Sequence, residues 1–72
     1  MLRLRLLMKN NKITIKKLAI EIGLSEDDLG QRLLKKYDFK IKELEDIKEY
    51  FVRERMLHDD FDIGEFLEEI SS

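Results

Sequence analysis

One glycine constrains this chain more than any other residue. Between Thr14 and Leu33 the sequence runs T-I-K-K-L-A-I-E-I-G-L-S-E-D-D-L-G-Q-R-L, and two short helical patterns meet at Gly23. Before it, Ile15, Leu18, Ala19 and Ile22 recur at helical spacing; after it, Leu29 and Leu33 do so. Thr14 is placed to cap the first pattern, because its hydroxyl can accept a bond from an unpaired first-turn amide. Gly23 ends it, since glycine takes a left-handed conformation without a Cβ clash. Ser25 caps the second pattern, and Asp28 three residues on completes a near capping box. Leu24 falls in the turn, where an apolar side chain can plug the junction. Two helices joined by a tight turn containing glycine form a helix-turn-helix.

The rest of the chain is short and simple in composition. At 72 residues it is at most one domain, with a thin core. It has no cysteine and no proline, so neither disulfide nor thiolate metal chemistry is available, and helices run uninterrupted. These features are those of an all-α cytoplasmic protein. No apolar run approaches the ~20 residues of a membrane span. The opening Met1–Met8 is too broken by Arg3 and Arg5 to read as a signal peptide, and it lacks a small-residue cleavage site.

In order, the periodicity predicts helices over 2–10, 15–22, 26–35 and about 40–56, giving a small domain of four to five helices. Asn10-Asn11-Lys12 is the first turn, where an asparagine can supply left-handed backbone. Ile41, Leu44, Ile47 and Phe51 carry the fourth helix. Tyr37, Phe39, Tyr50 and Phe51 read as core. Residues 1–57 form the helix-turn-helix domain. Residues 58–72 form an acidic segment whose Phe61, Ile63, Phe66, Leu67 and Ile70 imply a last short helix, capped by Asp60 or Asp62. That segment either folds back over the core or docks on a partner.

The motif residues Ile13-Thr14, Leu18-Ala19, Ile22-Gly23-Leu24-Ser25 and Leu29 resemble the Cro/lambda-repressor family of helix-turn-helix proteins. The resemblance extends through Phe39-Lys40-Ile41 and Leu44-Ile47 and covers roughly residues 4–51. It implies a lambda-repressor-like fold in which the first turn of the third helix meets the DNA major groove. This chain departs from the family pattern there. Ile15 stands where a phosphate-contacting Gln is frequent, Gly30 where Ser or Asn is usual, and Lys12 near a customary glycine. At the groove-facing positions stand Ser25, Glu26, Asp27 and Asp28, followed by Gln31 and Arg32. Acids there can accept only from cytosine N4 and are repelled by phosphates.

Charge points the same way. The net charge is −2, whereas DNA readers rest on a basic excess. The cations lie in front: Arg3, Arg5, Lys9, Lys12, Lys16 and Lys17 precede Glu21, while everything after His58 is acidic or neutral. First-turn acids are also favourable with the helix dipole, which accounts for Ser25 and Asp28 as plain capping residues. Glu26 and Asp27 lie on the very surface a DNA reader would use.

Two functions follow from the resemblance. The leading one is that of the modulator-of-repression antirepressors of temperate phages, which this chain is similar to in length and acidity. In that reading Ser25, Glu26, Asp27, Asp28, Gln31 and Arg32 engage the basic face of a partner repressor and block its operator binding. The alternative is a Cro-like DNA-binding repressor using Lys16, Lys17, Gln31, Arg32, Lys35 and Lys36. Neither needs a cofactor, metal or small molecule. His58 beside Asp59 is a solvated loop residue rather than a ligand. No nucleophile with base and orienting acid is present, so an enzyme is not expected.

Overall fold

A computed structural model of the protein describes residues 1–71. Among them the chain is all-α, with four α-helices, two 3-10 turns and no strand. The helices are α1 (Arg3–Asn10), α2 (Ile15–Ile22), α3 (Glu26–Leu34) and α4 (Ile41–Arg53). One 3-10 turn, Lys36–Asp38, joins α3 to α4, and the other, Ile63–Leu67, follows α4.

The caps explain where each helix starts and stops. Thr14 accepts from the Lys17 amide at 3.0 Å, and Ser25 from the Asp28 amide at 3.0 Å. Gly23 is left-handed at φ 77°, and Leu24 then donates to the Ala19 carbonyl at 3.0 Å. α1 ends differently from the sequence expectation. Asn11 keeps a negative φ and uses its side-chain amide to donate to the Leu7 carbonyl at 2.8 Å. Lys12 takes the left-handed position instead, at φ 57°. There Lys12 donates to Lys9 and Ile13 to Met8, the two crossed bonds of a Schellman end, which dictate left-handed backbone at that position. α4 ends likewise at Arg55 (φ 61°), whose neighbour Met56 donates to the Phe51 carbonyl at 2.8 Å. That termination stops the helix at Arg53, short of the predicted residue 56. It runs unbroken from Ile41.

The core is one cluster in which Leu4, Leu18, Leu29, Ile47, Phe51 and Phe66 are fully buried. Phe66 comes from the acidic C-terminal segment and stacks 6.1 Å from Phe51 and 4.8 Å from Phe61. The segment is a 3-10 turn rather than an α-helix, with Asp62 accepting from the Gly64 amide at 2.9 Å. It is fastened to the start of the chain. Leu2 and Glu69 form an antiparallel bridge, Arg3 donates to the Glu68 carbonyl at 2.8 Å, and Ile70 to the Met1 carbonyl at 2.7 Å. Residues 68–70 therefore satisfy backbone groups at and just before the start of α1 that would otherwise need water.

Candidate protein-contact face on α3

α3 packs inward through Leu29 and Leu33, which fixes what it turns outward. Asp27, Gln31 and Leu34 are exposed at spacings of four and three, a single outer stripe, with Glu26, Asp28 and Lys35 beside it. Among the described residues none of the carboxylates of Glu26, Asp27 and Asp28 makes an ion pair. The Ser25 cap occupies one first-turn amide. The acids are therefore oriented by the helix but unspent. Gly30 has no side chain beside the stripe, and a Cβ there would meet nothing within 4 Å.

The basic candidates are differently placed. Arg32 is drawn off the face: its Nε donates to Glu43 Oε1 at 2.7 Å, and its Nη1 to the Asp28 carbonyl at 3.4 Å. The two side chains are only 18% and 13% exposed. Glu43 also accepts from the Lys40 amide at 3.0 Å, half of a capping box at the start of α4. Burial acts to raise the Glu43 carboxyl, but the Arg32 and Lys40 hydrogen bonds and charges outweigh it and hold it below its ordinary value. The Glu43 hydrogen bond correspondingly raises Arg32.

Lys36 is half-buried. Its ammonium donates to the Leu67 carbonyl at 3.3 Å and lies 3.6 Å from Glu69, tying α3's exit to the C-terminal segment. Lys17 pairs with Glu21 at 2.9 Å, and Glu21 also accepts from Arg53 at 3.0 Å. The hydrogen bond from Lys17 holds the Glu21 carboxyl below its ordinary value. Of the six residues the DNA-binding alternative would use, only Lys16, Gln31 and Lys35 are exposed without a side-chain partner among the described residues. Arg5, Lys9 and Lys12 are also exposed on and just after α1, with no ion pair among the described residues, whereas Arg3 pairs with Glu68 at 3.2 Å.

Two exposed apolar residues at the end of α3 were not singled out by the sequence. Leu34 is 75% exposed and Tyr37 88% exposed, so Tyr37 is not core. Both line a groove of about 380 Å³ with Leu2 and Leu33, where Lys35 and Lys36 stand beside Asp38 and Glu69. Leu34 had a signal: it falls seven residues after Asp27, on the outer period of α3. Tyr37 had only its charged neighbours, because the 3-10 turn breaks the helical register that would have placed it.

No protein-family model, curated protein or solved structure matches this chain. Among the described residues no helix is long and apolar enough to cross a membrane.

Proposed function

We propose that this protein is an antirepressor of the temperate-phage kind. It acts in the host cytoplasm by binding a partner repressor and keeping it off its operator. The contact surface is the exposed first turn of α3 with its outer stripe: Ser25, Glu26, Asp27, Asp28 and Gln31. Arg32 belongs behind that surface, as the support that joins α3 to α4. The observation that carries the reading is the pairing of three unspent carboxylates with an arginine withdrawn from the same helix. Such a face repels phosphates and attracts the cations that a repressor presents to DNA. Complementarity of this kind speeds association and selects the partner. The function calls for binding alone and no catalysis.

The Cro-like alternative keeps one observation in its favour. Arg5, Lys9, Lys12, Lys16 and Lys35 are exposed cations without ion pairs among the described residues. They would hold a duplex only through its backbone, with a steep salt dependence.

The test is a titration into the phage repressor bound to its labelled operator, with the variant Glu26→Lys/Asp27→Lys alongside. The antirepressor frees the operator without binding it, and the variant fails to do so. A shift of the operator by the protein alone at moderate salt would instead establish the Cro-like alternative.

A further inference from the structure

Gly30 is unexplained by the fold. A glycine inside a helix costs stability against alanine, because its backbone has more freedom to lose. A left-handed backbone would justify that cost, as would a neighbour too close for a Cβ. Gly30 has neither. Gly23 holds the only positive glycine φ among the described residues, and a Cβ on Gly30 would meet nothing within 4 Å. A local rule broken with no gain inside the molecule is expected where the molecule meets something else. The period of α3 puts Gly30 at such a place. Glu26 and Asp27 stand four and three residues before it, both exposed, so the bare backbone of Gly30 adjoins the two carboxylates. Neither carboxylate has an ion pair among the described residues. The cations of α3 and its exit leave that flank acidic. Arg32 is held by Glu43, and Lys36 by Leu67 and Glu69. Lys35 is exposed, but it lies five residues on, about 140° round the helix axis from Gly30.

We propose that Gly30 is a notch that determines which partner α3 accepts: an arginine of the partner's DNA-reading surface lies across the bare backbone at Gly30 and delivers its guanidinium to Glu26 and Asp27. The proposal rests on the antirepressor reading and names the residue on which its specificity turns. The chemistry selects arginine. Its guanidinium is planar, so it can lie flat on a helix surface that lacks a Cβ, and its fork of donors matches carboxylates. Arginine is also the side chain that most often reads guanine in the major groove, so a repressor presents it on the surface it turns to DNA. A side chain on residue 30 would stand in its path and hold it away from both acids. Selection then works by exclusion as well as by attraction.

The experiment measures affinity for the fluorescently labelled DNA-binding domain of the phage repressor by anisotropy, with a thermal melt of each variant. It uses the wild type, Gly30→Ala, Gly30→Gln and Glu26→Lys/Asp27→Lys. Gly30→Ala should bind about fivefold more weakly and Gly30→Gln at least ~30-fold more weakly, the span expected when a closed contact is overfilled. Both should melt above the wild type, because alanine and glutamine are better helix formers than glycine. Binding and stability thus move in opposite directions, which a purely structural role for Gly30 would not produce. The Gly30→Gln loss should keep its size at high salt, being steric, whereas the charge-reversal loss should shrink. Binding by both Gly30 variants within about twofold of the wild type, while Glu26→Lys/Asp27→Lys binds poorly, overturns the notch and leaves the antirepressor reading intact. Melts of both Gly30 variants below the wild type would place the residue inside the fold and overturn the notch as well. A wild type that does not bind the repressor domain overturns both the notch and the antirepressor reading.

Discussion

If Arg32 is structural, a double-mutant cycle with Glu43 will show it. The cycle compares wild type, Arg32→Ala, Glu43→Ala and the double variant by urea unfolding followed by circular dichroism. The Nε–Oε1 distance is 2.7 Å and both side chains are mostly buried, so the bond belongs with charge-assisted hydrogen bonds worth about 1.5–3 kcal/mol, not with surface pairs at about 0–1 kcal/mol. Loss of the Lys40 amide's acceptor occurs in both Glu43→Ala variants, and loss of the Asp28 carbonyl contact in both Arg32→Ala variants. Both therefore cancel, leaving the pair itself. The pH dependence has a fixed sign. Glu43 is held below its ordinary value in the folded state, so the coupling is complete above the unfolded glutamate value of about 4.3. It is lost as pH falls through the lower folded value. A coupling under about 0.5 kcal/mol at pH 7 would refute this account and return Arg32 to the surface as a candidate base reader.

Other expectations concern stability. Phe66→Ala should cost about 3–5 kcal/mol by urea unfolding, a large share of the roughly 4–11 kcal/mol available to a chain of this length; a loss under about 1 kcal/mol would mean that the C-terminal segment is not seated on the core. Gly30→Ala should add about 0.5–1 kcal/mol, since the new methyl meets open space on a helix interior, and a net loss by the same assay would contradict that placement. Lys12→Gly should also stabilise, by about 0.5–1 kcal/mol: relief of left-handed strain exceeds the added freedom of the unfolded chain. A lower unfolding midpoint for Lys12→Gly would argue against the left-handed turn.

The all-α class and the α2–turn–α3 pair were legible because local signals agree there: a capping hydroxyl, a helical apolar period and one glycine all point to the same boundaries. The ends of α1 and α4 were less legible. Their left-handed positions are taken by Lys12 and Arg55, which carry no propensity signal and are imposed by crossed backbone bonds. The exposed acids of α3 follow from its period alone. The fate of the cations does not. Arg32 and Glu43 are eleven residues apart, and Lys36 and Leu67 thirty-one, so only the folded chain brings them together. Tyr37, read as core, is left outside by the 3-10 turn, whereas Phe66 fills the centre, the fold-back alternative for the acidic segment.

In the proposed function α3 turns a protein-contacting face, not a DNA-reading one, to its surroundings. Amide shift mapping of the nitrogen-labelled protein tests it most directly, against the repressor's DNA-binding domain and, separately, against operator duplex. The repressor domain should move the amides of Glu26, Asp27, Asp28 and Gln31, while duplex at moderate salt should leave them in place. Movement of those amides with duplex, and none with the repressor domain, would contradict it.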